Sequence, residues 1–334
     1  MTDSFKAKMQ TSGAATRGRP FWQLLIQNQW VLLLGVVIIL SMVTGSVNPK
    51  FYRPENVFSV LEQISVLGLV AAGATILIIA GNWDISVGAI VGLSACVMAI
   101  LINKGVNGVV AAALGILLCM GCASLNGAMS MAFKTPSFII SLATTGVYHG
   151  IALALTGGVI QMIVGKFEFL GSYDIFGFFP LLFLISILGY VFVHVILKYT
   201  RIGRRVFAIG SNPRAAFLAG IQVPRNTIGF FALNGFLVGV ASVILLSRLG
   251  AALPSTGVGI ELRAIGAVVI GGVPTTGGRG NVLGTFFGVL LMGVISNSLN
   301  MMRVNPYLQE VAYGALIILA VAISSLRYRF ASSK

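Results

Sequence analysis

Val57-Phe-Ser-Val-Leu-Glu-Gln-Ile-Ser-Val-Leu-Gly-Leu-Val-Ala-Ala-Gly-Ala-Thr-Ile-Leu-Ile-Ile-Ala80 runs for 24 residues with one charge, Glu62. A membrane-spanning helix needs about 20 mostly apolar residues, and this run supplies them. Nine further apolar segments lie at about 30–46, 85–103, 107–133, 137–156, 179–198, 227–247, 262–273, 281–300 and 308–325. The sequence therefore predicts an all-α polytopic membrane protein with about ten transmembrane helices. Segment 262–273 is too short to span alone, so it is a half-helix or begins earlier, near Pro254. The runs Gly81-Asn-Trp-Asp-Ile-Ser-Val-Gly88 and Gly271-Gly-Val-Pro-Thr-Thr-Gly-Gly-Arg-Gly280 break the apolar pattern. Such broken helices at membrane depth are tolerated only where the backbone is buried in protein or lines a cavity.

Composition agrees. The chain has 334 residues, is 57% hydrophobic and carries only 9% charged residues, with a mean hydropathy of +0.97. A soluble domain carries roughly 25% charged residues. The net charge of +14 does not mark a nucleic-acid binder, because the basic residues sit at span ends and in loops rather than in a stripe on a soluble fold. Cys96, Cys119 and Cys122 all lie in apolar stretches, where they read as small packing residues, and the Cys119/Cys122 spacing does not read as a redox pair. The first 28 residues are polar and basic, and the run after them reads as a retained first span rather than a cleaved signal.

Lysines and arginines gather in cytoplasmic loops. With the N-terminus inside and ten crossings, fifteen of the 22 fall on one side and seven on the other. This places both termini in the cytoplasm. The expected organisation is a cytoplasmic tail 1–29, one transmembrane permease domain 30–326 with a long inner loop at 199–226, and a cytoplasmic tail 327–334. A mixed outer loop, 157–178, is placed to cap a cavity entrance.

Within the inner loop, Asn212 and Pro213 read as a helix start, with Asn212 as N-cap and Pro213 in the first helical position. Arg214 to Ala219 would make about two turns, ending at Gly220. Ala215, Ala216 and Ala219 would make one side small enough for a partner to approach. In the first break, Asp84 is an acid near membrane depth and therefore a functional-site candidate. It also reads, with Ser86, as a helix cap. Both readings stand. The second break, with Gly271, Gly272, Gly277, Gly278 and Gly280, allows tight turning and close helix packing. Gly81, Gly88 and Gly92 echo Gly272, Gly280 and Gly284, as an internal parallel repeat would. Gln63, Asn126, Thr144 and Asn234 are in-span polar residues of the types that pair helices or bind hydroxyl-rich solutes. No metal-ligand spacing is present. No Gly-x-x-x-x-Gly-Lys-Ser/Thr phosphate loop occurs, so the chain is not itself an ATPase.

At these residues the chain resembles the permease subunits of ribose, xylose and arabinose-type ATP-binding cassette importers. Asp84-Ile-Ser-Val-Gly88 resembles their Gly-Gly-Ile-Asp-Leu-Ser-Val-Gly motif, with Asn82-Trp83 standing where Gly-Ile is usual. Thr200-Arg-x-Gly-Arg204, Ala208-x-Gly-x-Asn212, Ala215-Ala216 and Gly220-Ile221 resemble their cytoplasmic loop. Glu261-Leu-x-Ala-Ile265, Gly271-Gly272 and Gly277-Gly278-x-Gly280 resemble their late segment. The resemblance runs from about Asn56 to Ile323.

It implies a permease of the bacterial inner membrane that carries a monosaccharide, pentose or hexose. It implies a second copy or a homologous permease, two ATPase subunits and a periplasmic sugar-binding protein as partners. The ATPases would hold ATP and Mg, and this chain no cofactor. They would dock on Asn212, Pro213, Arg214, Ala215, Ala216, Ala219, Gly220 and Ile221. Trp83, Asp84, Ser86, Gln63, Asn126, Thr144 and Asn234 are then the candidates for the translocation path, with Gly81, Gly88, Gly271, Gly272, Gly277, Gly278 and Gly280 at the helix breaks. Trp83 would stack on a sugar ring or block a path. A rival reading is an ion-gradient-driven carrier of a small polar solute that uses Asp84 for coupling. A membrane-embedded transferase fits less well, because Asp84 stands alone and His149 and His194 are isolated.

Overall fold

The computed structural model describes residues 29–332, apart from 168 and 176–178. The tails at 1–28 and 333–334 lie outside the described residues, as do the sequence readings made on them. Each of the ten apolar segments is a helix. In chain order they are α1 (Gln29–Val47), α2 (Pro54–Ile79), α3 (Val87–Asn103), α4 (Gly108–Phe133), α5 (Ser137–Thr156), then, after the one-turn α6 (Phe169–Ser172), α7 (Leu181–Tyr199). The inner loop folds as α8 (Arg201–Ser211) and α9 (Pro213–Leu218). The chain continues as α10 (Val223–Leu249), α11 (Ile260–Ile270), α12 (Val282–Met301) and α13 (Pro306–Ser332). α13 therefore carries helix beyond residue 326, into the stretch read as a tail.

Seven of these helices are long and apolar enough to cross a membrane; α3, with 17 residues, and the apolar part of α13, Pro306–Ala322, are shorter. α11 has 11 residues. At 1.5 Å per residue it reaches about 16 Å, half of a hydrocarbon core of roughly 30 Å. It is the half-helix that segment 262–273 anticipated.

The loops sort into two sets. At one end, strand β1 (Gln161–Met162) pairs antiparallel with β4 (Ala251–Ala252), while β2 (Asp174–Ile175) pairs with β3 (Phe179–Pro180). Asn103 donates to the Met162 carbonyl there, and Asn48 to that of Met301. At the other end, residues 79–82 meet 210–211, 277–278 and the 134–137 turn. The second end carries α8 and α9 and is the one the charge pattern assigns to the cytoplasm.

α2 is the hub. It packs on α7, α10, α11 and α12, and most of its apolar window is buried in protein rather than facing lipid. Glycines set the spacing elsewhere. Gly88 and Gly92 on α3 lie against the carbonyl oxygens of Gly257 and Pro254, and Gly284 and Gly288 on α12 lie against those of Gly271 and Ala267. A side chain at any of the four would strike backbone. Two Gly-x-x-x-Gly pairs thus clasp one continuous segment, 254–271, near its two ends, and such pairs let backbones approach closely. The clasp pairs Gly88 and Gly92 with Gly284 and Gly288, a different correspondence from the echo of Gly81, Gly88 and Gly92 with Gly272, Gly280 and Gly284.

Candidate coupling site and transport path

α9 forms as its local chemistry requires. The Asn212 side chain accepts from the Ala215 N–H at 3.0 Å, Pro213 takes the first turn, and Gly220 follows with φ +82°. The roll of the helix differs from the expected one. Ala216 is buried in the apolar core, while Phe217 and Leu218 are 66% and 79% exposed. Ala215, Ala216 and Ala219 therefore do not form one open small face. The helix turns Ala216 inward because only a small residue lets it lie flat on the bundle, and the same turn leaves two large apolar side chains outside.

α8 is strongly two-sided. Gly203, Val206 and Ile209 are buried, and Arg201, Arg204 and Arg205 are exposed. Its last turn enters the space between the two breaks. The Gly278 N–H donates to the Ile79 carbonyl at 2.8 Å, and Ser211 Oγ donates to the Gly278 carbonyl at 3.4 Å. Gly210 packs on that same Ile79 carbonyl. Gly277 and Gly278 have φ of +77° and +75°, which only glycine adopts without strain. A Cβ on Gly277 would come within 3.0 Å of Gly81 Cα. The inner loop, the end of α2 and the second break therefore meet mainly through backbone, to which the Ser211 side chain adds.

Past Gly81 the chain turns back into the protein. The Ser137 and Ser141 hydroxyls on α5 accept from the Trp83 and Ile85 N–H groups at 2.9 and 3.0 Å. Asp84 is buried and heads a polar cluster. Its Oδ1 accepts from the Ser86 N–H at 3.0 Å, from Ser86 Oγ at 2.6 Å and from Asn126 Nδ2 at 3.4 Å, and its Oδ2 from Asn234 Nδ2 at 3.4 Å. Asn126 also donates to Ser86 Oγ at 2.7 Å and accepts from the Tyr148 hydroxyl at 2.9 Å. Thr144, nearby on α5, is buried and donates to the Ser141 carbonyl at 3.1 Å. The structure thus joins Asp84, Ser86, Asn126 and Asn234 in one buried network tying the start of α3 to α4, α5 and α10. The N-cap of α3 is Ser86, without a side-chain cap bond, and Asp84 holds the N–H of that residue from two positions earlier. Tyr148 belongs to the network and was not singled out in the sequence, where it reads as one more aromatic in an apolar run.

Trp83 and Gln63 lie elsewhere. Trp83 lines a cavity of about 410 Å³ at the α8 end, with Gly81, Asn82, Lys134 and Ser137. Gln63 lines a second cavity, of about 150 Å³, toward the opposite end, with Arg248, Arg263, Ser296 and Tyr313. Arg248 Nε donates to Glu62 at 3.0 Å beside it. Among the described residues no cluster of three metal-ligating side chains occurs.

Residues 56–321 match a family described as branched-chain amino acid transport system / permease component, and the chain belongs to it. It is accordingly a multi-pass permease of the bacterial inner membrane. Among named relatives, the ribose import permease protein of Bacillus subtilis is 38% identical over 86% of this chain and 90% of its own length. The D-allose transport system permease protein of Escherichia coli is 33% identical over 87% and 90%, and the L-arabinose ABC transporter permease protein of Azospirillum brasilense 32% over 92% and 89%. No solved structure matches. These relatives set aside the ion-gradient carrier.

Proposed function

We propose that this chain is the membrane subunit of an ATP-binding cassette importer that moves a monosaccharide inward. Its relatives import sugars, and the inner loop is built to take a push. The observation that carries the reading is the joint at Ile79, Gly210 and Gly278. A force on α9 passes through Asn212 to the end of α8, and from there by backbone contact to α2 and the second break together. Backbone contacts do not yield by rotamer change, so displacement is transmitted rather than absorbed. Two separate ATPase subunits supply that force, binding ATP and Mg and closing on it. A second permease copy or a homologue completes the path, and a periplasmic sugar-binding protein delivers the sugar. The docking surface shifts from the small residues to Phe217 and Leu218, flanked by Arg214 and the arginines of α8. Aromatic anchors with arginine beside them are the usual energetic centre of such contacts.

Leu218→Asp in a tagged permease should abolish co-purification of the ATPase while leaving the permease inserted and its melting temperature within about 2 °C of the parent. Co-purification at the parental yield would refute this docking role.

A further inference from the structure

The cavity around Gln63 lies where α2, α11, α12 and the end of α10 converge under α13, away from the joint and from the Asp84 network. Part of its wall is the non-helical stretch before α11, through Thr256. Irregular backbone at membrane depth needs such a setting, and half-helices mark solute sites in transporters generally.

Its chemistry selects a class of solute. Two arginines line it, and each is already engaged. Arg248 is paired with Glu62 at 3.0 Å, and Arg263 Nε donates to the Gly259 carbonyl at 3.2 Å. What remains is hydrogen-bonding capacity: the Gln63 amide, which among the described residues is bonded only to Ser296 Oγ, at a long 3.3 Å, the remaining guanidinium N–H groups, and the Ser296 and Tyr313 hydroxyls. Tyr313 adds an aromatic ring, one face of which lies under Arg263 with the guanidinium carbon 5.6 Å from the ring centroid. The rest of the lining is aliphatic, from Ile64, Leu67, Ile260 and Met292. Apolar walls with a few convergent polar groups describe a small-molecule site. About 150 Å³ is well below the roughly 300–1,000 Å³ of drug-sized pockets. A single-ring neutral polyol, with hydroxyls on its rim and C–H groups on its faces, matches in both size and chemistry.

We infer that this cavity is a sugar subsite within a single permease subunit, with Gln63, Arg263, Ser296 and Tyr313 as its contacts and the Glu62–Arg248 pair at its rim. The inference rests on the monosaccharide reading above and adds where one subunit grips the solute. Gln63 and Tyr313 set the preference among sugars, one through hydroxyl pairing and the other through the ring.

The test uses the assembled importer, ATPase and binding protein included, in vesicles supplied with D-ribose, D-allose, L-arabinose or D-fructose. Uptake rates are measured against concentration. Gln63→Leu and Tyr313→Leu should each raise the apparent KM for the transported sugar at least tenfold and change the ranking among the four. Tyr313→Phe, which keeps the ring, should recover most of the loss. Separately, a Ser296→Cys thiol should be labelled by a small polar maleimide, and 10–50 times the apparent KM of the transported sugar should slow that labelling at least fivefold. Transport by the parent with unchanged KM and ranking in both leucine variants, or unprotected labelling, would overturn the subsite alone. Failure of the parent to transport any of the four would overturn the subsite together with the reading it rests on.

Discussion

Gly210→Ala adds one methyl group at the joint. That methyl would overlap the Ile79 carbonyl oxygen and lie 2.8 Å from Gly278 N and 2.9 Å from the Ile79 carbonyl carbon. All three are backbone atoms, so no side-chain rotation relieves the contact. Overpacking of this kind costs about 1–3 kcal/mol. Forcing α8 away would also stretch the 2.8 Å bond from Gly278 N–H to Ile79 O, a net loss of roughly 0.5–1.5 kcal/mol. Their sum centres on about 3 kcal/mol, which is about a hundredfold in the closed-against-open equilibrium of the joint at 1.4 kcal/mol per tenfold. The variant should still bind its ATPase, because Phe217 and Leu218 are untouched. In reconstituted vesicles, ATP hydrolysis should persist while sugar uptake falls at least tenfold. Gly229→Ala on α10 serves as control, since nothing lies within 4 Å of a Cβ there. Uptake by Gly210→Ala within twofold of the parent would refute transmission through this joint.

Asn126→Ala removes the 2.7 Å bond to Ser86, the 3.4 Å bond to Asp84 and one of the two acceptors of the Tyr148 hydroxyl, which keeps the Cys122 carbonyl at 3.0 Å. Buried groups left short of partners cost about 1–3 kcal/mol, so the melting temperature in detergent should drop by several degrees. Asn126→Asp, which sets a second carboxylate against Asp84, should be worse, and a melt equal to the parent's would count against the network. Gly88→Val should block insertion of segment 254–259, because its side chain would occupy the place of the Gly257 carbonyl and the Glu261 carboxylate. Protease resistance of the expressed variant, matched to the parent's, would argue otherwise. Thr75→Val breaks the buried 2.9 Å contact between the Thr75 and Thr285 hydroxyls that links α2 to α12. In-membrane bonds of this kind average about 0.6 kcal/mol, so only a small drop in melting temperature is expected.

Some of this was legible in the sequence because the signal is local. A run such as Val57 to Ala80 is long enough that burial in lipid decides its state whatever its neighbours do. Asn212-Pro213 carries its own cap chemistry within four residues. The sites that depend on packing were not legible. Nothing in Gly81, Gly210 and Gly278 taken singly says that they meet. Tyr313 and Arg263 stand fifty residues apart, and only the course of α11 and α13 brings them together. Ala216 misled because small residues suit an outward docking face and an inward packing face equally well, and the roll of α9 chose the second. Asp84 illustrates a middle case: its local turn with Ser86, two residues on, was readable, but Asn126, Asn234 and Tyr148 come from three other helices.

The clasp on segment 254–271 has a mechanical consequence. Ordinary helix pairs interlock, ridge into groove, and work like gears that resist sliding. Here α3 and α12 lay glycines against the carbonyls at the two ends of the segment, and those ends have no teeth. Between them the segment is keyed, because Met292 of α12 and Ile317 of α13 seat against Gly266. A tug on the second break would then carry the half-helix, Met292 and with it the lining of the Gln63 cavity as one piece, as a key makes a shaft turn its wheel.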